Sequence, residues 1–144
     1  KRRLPMKEWK RLIRIFKEKE PYTTIVIIGD KGDFSLAKQL EGSNVLNSCG
    51  LFNLNETCAL IKQLRCLISN DTGPMHIGAA LTKVVALFIV STPKITGPLP
   101  ETRHKAIWKN KSGELITPDG FITEGQGTIT AEEIYKEVKA ILKK

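Results

Sequence analysis

Apolar positions along the chain alternate between two spacings. Behind Pro5, the residues Trp9, Leu12, Ile13 and Phe16 recur at helical intervals with Lys and Arg between them, which predicts an amphipathic helix closed before Pro21. The run "TTIVIIGD" is short, β-branched and closed by Gly29, as expected of a buried strand. A helix is expected over Asp33 to Leu40, ended by Gly42, and "NVLNSCG" reads as a weaker strand. Asn55 is placed to cap "ETCALIKQL", where Cys58, Leu60, Ile61 and Leu64 form one apolar face. The strand "CLIS", the helix "PMHIGAAL" and the strand "VVALFIV" follow.

The order so far is α-β-α-β-α-β-α-β. Such alternation calls for a parallel sheet covered on both faces and joined by right-handed crossovers, so the predicted fold is a doubly wound, Rossmann-like α/β lobe. From Ser91 to Thr128 the chain becomes rich in Pro and Gly and reads as loops, with short strands expected around Ile107 and Leu115. Thr130 and Glu133 then form a capping box for a last helix with Ile134, Val138, Ile141 and Leu142 as its stripe.

Composition narrows the function classes. The chain has 144 residues, the size of one domain, with 41% apolar and 26% charged residues. No run is apolar and long enough for a membrane span, and the basic start has no secretory pattern, so cytoplasm is the expected compartment. Cys49, Cys58 and Cys66 are odd in number and lack a Cys-x-x-Cys spacing, which points to buried thiols rather than disulfides or zinc. Of the formal charge of +8, Lys1 to Glu20 carries nine Lys or Arg against three Glu. That basic face invites an anionic partner. Nucleic acid is not expected, since aromatics are only 6% and no interleaved stacking motif occurs.

Chemistry concentrates in "LISNDTGPMHIGAAL". Asp71-Thr72-Gly73 spells the aspartic protease motif, but that enzyme class needs a second carboxylate and an all-β body. One motif in an α/β order does not fit. A strand running into a Gly turn, followed by a helix with Pro74 in its first turn, is instead a device for binding phosphate on unpaired backbone N–H groups. It would lie at the carboxyl end of a strand, where open α/β sheets bind ligands. The pattern alone leaves a plainer alternative open, with Asp71 or Thr72 as a simple helix cap and His76 as a partly buried histidine. Neither Gly-x-Gly-x-x-Gly nor a Walker-type loop occurs.

The run "LISNDTGPMHIGAALTKVVALFIVSTPKITGP" closely resembles the signature of the bacterial heptosyltransferase family, glycosyltransferase family nine. "CGLFNLNETCALIKQLRCLIS" and "RRLPMKEW" are similar to segments upstream of that signature. The resemblance implies the donor-binding C-terminal lobe of a two-lobed GT-B glycosyltransferase, with the whole of 1–144 as one nucleotide-sugar-binding domain. The acceptor-binding N-terminal lobe and its acidic general base would then lie outside this sequence.

The reaction so implied is an inverting, metal-independent transfer of heptose from ADP-heptose to the lipopolysaccharide inner core, with no cofactor. The lack of an Asp-x-Asp motif agrees with this. Carried over residue by residue, Thr72 and Gly73 would bind the diphosphate and Asp71 the sugar hydroxyls, with His76 beside the phosphates. Arg2 stands where the family has a phosphate-binding Lys. Asp33 resembles the residue that holds the ribose, its plainer reading being a helix cap. Phe52 would rest against adenine or else belong to the core, and Thr92 and Thr96 would border the site. The basic first helix would favour peripheral contact with anionic inner-membrane lipid.

Departures from the family pattern are Leu4 for Trp, Phe88-Ile89 for Phe-Gly, no Pro before "VVALF", and no Cys-rich loop after Gly97-Pro98. They leave the sugar and subfamily open. Alternatives are a transferase for a different nucleotide sugar and a non-catalytic module that binds ADP or a sugar nucleotide.

Overall fold

A computed structural model of the chain describes residues 3–89, 97, 104–108 and 129–143. Helix α1 spans Met6–Lys19 and strand β1 Ile25–Ile27. A single 3-10 turn, Lys31–Asp33, leads into α2, Phe34–Lys38, and then β2, Val45–Asn47. Next come α3 (Leu54–Gln63), β3 (Leu67–Asn70), α4 (Gly73–Leu81) and β4 (Val84–Phe88). The described residues close with β5, His104–Trp108, and α5, Ala131–Leu142. All pairings between these strands are parallel, in the orders β1-β2 and β3-β4-β5. The α/β alternation is therefore present, but the ladders fall into two sheets rather than one.

Strand β4 organises the core because its five side chains are all apolar and at most 1% exposed. Val85 and Leu87 point into a cluster with Leu12 and Phe16 of α1 and Ile134, Val138 and Ile141 of α5. Val84, Ala86 and Phe88 point the other way, onto Leu67, Met75 and Ala79. Period-two alternation with both faces covered is what a near-continuous apolar strand requires. Gly78 lets α4 lie close to this sheet: a Cβ there would overlap the Leu67 side chain and reach Val84 Cγ2 at 3.0 Å.

The first and last helices are tied together at several points. Glu8 accepts a hydrogen bond from the Ala131 N–H at 3.0 Å, filling one of the orphan donors at the start of α5. Arg11 pairs with Glu132, and Glu20 with both Lys139 and the Tyr135 hydroxyl. Tyr135 meets Phe16 edge-on, with ring centroids 5.3 Å apart. The Thr130–Glu133 capping box forms as its spacing predicts.

Several local expectations shift. Asn53, not Asn55, caps α3, because Asn53 rather than Asn55 stands three residues before Glu56 and can exchange reciprocal bonds with it, each 2.9 Å. The helix expected from Asp33 to Leu40 is the five-residue α2, with Asp33 at its cap position as the plainer reading has it but without a side-chain capping bond; Asp30 caps the 3-10 turn ahead of it. The first strand is limited to Ile25–Ile27. Cys49 is buried, whereas Cys58 and Cys66 are partly buried; all three thiols are free. Burial pushes the Cys66 thiol up to about 11. The expected strand near Ile107 is present, and the one near Leu115 lies outside the described residues. Among the described residues, no helix is long and apolar enough to cross a membrane.

Replacing Asn53 with Ala should lower stability by about 1 kcal/mol in urea melts, while Asn55→Ala should leave it within about 0.5 kcal/mol. The Lys139 and Tyr135 hydrogen bonds hold the Glu20 carboxyl below its ordinary value of 4.5. A lowered carboxyl stabilises the fold above its unfolded value and loses that effect as pH falls through the folded one. The stability gap between the parent chain and Glu20→Gln should therefore be widest near neutral pH and close under acid, as read from melting midpoints at successive pH values.

Candidate functional site

The turn that follows β3 is built by local hydrogen bonds. The Asp71 N–H extends the β3–β4 ladder to the Leu87 carbonyl at 3.2 Å, and α4 begins two residues later. Thr72 occupies the cap position, yet its side chain does not cap the helix. Its hydroxyl bonds back to the Asn70 carbonyl at 3.3 Å and lies 3.4 Å from the Ser69 hydroxyl. Thr72 is thus the helix cap of the plainer reading by position, without a capping bond from its side chain. Met75 donates to the Thr72 carbonyl at 3.0 Å, and Pro74 has no N–H to satisfy.

Thr72, Gly73 and His76 are exposed, and Asp71 is partly buried. His76 is exposed and thus not the partly buried histidine of the plainer reading. Gly73 differs from its neighbours in the helix. A Cβ built there would meet nothing within 4 Å, whereas one at Gly78 would collide with the sheet. Packing among the described residues explains the second glycine and does not explain the first.

Arg3 and Leu4 bring Asp33 to the same rim. Arg3 pairs with the Asp33 carboxylate, which follows β1, and the next residue, Leu4, donates its N–H to Asn70 Oδ1 at 3.1 Å at the end of β3. Two consecutive residues thus contact the segment after β1 and the end of β3. Asp33 also accepts from the Asp30 N–H at 3.4 Å, while Asp30 accepts from the Asp33 N–H at 3.1 Å. Asp30 does the capping, which leaves the other oxygen of Asp33 for Arg3. Gly29 permits this fold-back, because a Cβ there would fall 2.9 Å from both Asp33 Cβ and Cys49 Sγ.

Phe52 lies farther out, beyond β2, and is 47% exposed, so it is not a core residue. Leu51 and Leu54 beside it are 63% and 66% exposed. The Gly50 N–H donates to the Gly29 carbonyl at 2.9 Å and ties this segment to the end of β1; Gly50 adopts φ +71 in doing so. Arg2, Thr92 and Thr96 lie outside the described residues. Sequence reasoning missed Arg3, Asn70 and Asp30. Asp30 sits three residues before Asp33 in a capping-box spacing, a signal that was legible; the Arg3 and Asn70 contacts span 30 and 66 residues and were not. Among the described residues, no group of three or more His, Cys, Asp or Glu side chains could hold a metal ion.

A family model for glycosyltransferase family 9 (heptosyltransferase) matches residues 1–116. The chain belongs to that family. It is 36% identical over 156 residues to lipooligosaccharide heptosyltransferase 2 of Haemophilus ducreyi, covering 98% of this chain and 44% of that relative. In three dimensions it is similar to a family 9 glycosyl transferase from Veillonella parvula, with a TM-score of 0.81, 25% identity, and coverage of 98% of this chain and 42% of the other. It also shares its fold with the E. coli heptosyltransferase WaaC with ADP, at TM-score 0.76 and 17% identity, covering 97% and 40% of the two chains. The chain thus spans less than half the length of these relatives.

The two glycines of α4 should respond oppositely to one added methyl. Gly78→Ala is expected to cost about 1–3 kcal/mol through overpacking, whereas Gly73→Ala should leave the denaturation midpoint unchanged or slightly raised. Equal effects in chemical melts would contradict the packing described for this helix.

Proposed function

We propose that this chain binds the diphosphate of a nucleotide-sugar donor on the Thr72–Gly73 turn and serves as the donor-binding lobe of a heptosyltransferase. The observation that carries this reading is the open space beside Gly73. A glycine that no described neighbour demands stands at the start of a helix, with the exposed Thr72 and His76 near it. A helix N-terminus offers unpaired N–H groups and about half a positive charge to an anion. Absence of a Cβ lets a phosphate oxygen come close to that backbone.

In this reading Thr72 and Gly73 hold the diphosphate with His76 alongside, and Asp71 accepts bonds from the donor sugar hydroxyls. Asp33, on the same rim, holds the ribose, and Arg2 adds positive charge next to Arg3. Phe52 supplies an exposed apolar surface for the adenine, with Thr92 at the edge of the site. The fold shared with a heptosyltransferase solved with ADP supports adenine as the base. Two or three charge-assisted hydrogen bonds at roughly 1.5–3 kcal/mol each suffice for micromolar affinity after entropic losses.

The chemistry is an inverting transfer. An acceptor hydroxyl attacks the anomeric carbon of ADP-heptose, the bond to the diphosphate breaks, and the helix N-terminus stabilises the charge that develops on the departing phosphate without a metal ion. The base that takes the hydroxyl proton, and the lobe that binds the lipopolysaccharide core, belong to a part of the enzyme outside these residues. On α1, Lys7, Lys10, Arg14 and Lys17 are exposed, a basic face suited to the cytoplasmic surface of an anionic inner membrane.

Calorimetric titration checks the assignment. ADP should bind equally well with and without EDTA and better than UDP, and Asp71→Ala, His76→Ala and Gly73→Ala should each weaken it by about tenfold or more. A Gly73→Ala chain that melts normally and still binds ADP at parental affinity would refute the phosphate turn. Heptose transfer by the 144 residues alone would refute the placement of the base elsewhere.

A further inference from the structure

The carboxylate assigned to the donor ribose already holds a cation. One oxygen of Asp33, Oδ2, is committed to the chain: it accepts from the Asp30 N–H at 3.4 Å, and a Cβ built on Gly29 would stand 2.8 Å from it. The other, Oδ1, pairs with the Arg3 guanidinium. A ribose diol seeking this carboxylate therefore meets Arg3 at the oxygen that the local fold leaves over.

The root of Arg3 lies elsewhere on the rim. The next residue, Leu4, is 3% exposed and donates its N–H to Asn70 Oδ1 at 3.1 Å, at the end of β3. The Asn70 carbonyl in turn accepts from the Thr72 hydroxyl at 3.3 Å. The backbone of Arg3 is thus held beside the strand end that carries the Thr72–Gly73 turn, while its head lies on the segment after β1. Its flexible stem connects two places that a nucleoside diphosphate also connects, because ribose and diphosphate are joined through a single CH2–O link.

The pair is easily parted. The Arg3 side chain is 61% exposed, and exposed ion pairs hold weakly. A guanidinium fork matches both carboxylate and phosphate, and its bonds to phosphate are charge-assisted. A ribose alone offers hydroxyl donors to Asp33 but leaves the displaced cation with water. A diphosphate on the same ligand supplies that cation with a new partner.

We propose that Arg3 exchanges partners when the donor binds. It rests on Asp33 until the ribose hydroxyls take over that carboxylate, and it then turns to the diphosphate on the Thr72–Gly73 turn. Arg3 thereby sets specificity: a nucleoside must break the pair and gives nothing in return, whereas a nucleoside diphosphate satisfies both halves. This rests on the donor-site reading and adds to it a residue that discriminates phosphorylated from unphosphorylated ligands.

Calorimetric and NMR titrations of the 144-residue chain with ADP and with adenosine test the exchange. Arg3→Ala should weaken ADP by about tenfold, through loss of a charge-assisted bond, and strengthen adenosine by about threefold, through loss of a weak competing pair. Arg3→Gln, which keeps most of the stem, should do the same, and Arg3→Lys should recover part of the ADP affinity. In an Asp33→Asn background the gain for adenosine on removing Arg3 should vanish, because the pair it relieves is already gone. Opposite signs for the two probes are a signature that a merely structural role does not produce. Weakening of both probes alike would reduce Arg3 to a support for the rim and overturn the exchange. ADP affinity unchanged or raised in Arg3→Ala would overturn it as well, and so would adenosine that binds no better than to the parent chain. ADP that fails to bind the parent chain removes the donor site and the exchange together, whereas ADP binding that is lost in Gly73→Ala but unmoved in Arg3→Ala removes the exchange alone.

Discussion

The structure depends on the parallel ladder between β3 and β4. Strand β4 has no exposed face and is paired along both edges, so its position is fixed by burial and by backbone bonding together. Any slip of β3 by one residue would turn Leu67 out of its cluster and bring the polar Asn70 inward. Register is therefore specified, and the ladder's last bond, from the Asp71 N–H to the Leu87 carbonyl, carries that certainty to the candidate site. Thr72, Gly73 and the first turn of α4 are placed by a strand that contains no functional residue. Rigid placement of this kind suits a site that works by preorganised backbone donors.

Around this ladder, electrostatics is mostly local and spent on assembly. Part of the basic excess in the first twenty residues is matched by acidic partners: Arg3 by Asp33, and Arg11 by Glu132. In the reverse sense, Glu20 of the first helix is matched by Lys139 of the last. These pairs are exposed or only partly buried, and are worth little individually in stability. Their use is geometric, setting how the first helix lies against the last and how the segment before it meets the rim.

Much of this was legible from the residues, for reasons that differ between elements. The long helices and β4 announce themselves because their periodicity reflects burial that tertiary structure does not override. The Thr130–Glu133 box is local and formed as expected. Asn55 was mistaken for a cap because its residue type is right; the partner three positions on, Glu56, instead selects Asn53. The turn itself was visible as strand, Gly, Pro and helix, whereas the Thr72 hydroxyl's actual bonds and the surroundings of Gly73 were not. Two features were beyond reach of any local window. One is the bridge made by Arg3 and Leu4, and the other is the division of the strands into two sheets, since both are set by contacts between segments far apart in the chain.

The pairing of the first and last helices also dictates an order of events during synthesis. Tyr135 reaches Glu20 across 115 residues, and the N-terminus of α5 is bonded to Glu8 across 123. As the chain leaves a ribosome, Leu12 and Phe16 emerge more than a hundred residues before the helix that covers them. Contacts of such separation are slow to close, and an apolar stripe left waiting invites wrong partners. The dense lysines and arginines flanking that stripe would keep the nascent segment soluble and self-repelling until α5 arrives. Their value to the molecule then begins before the fold exists.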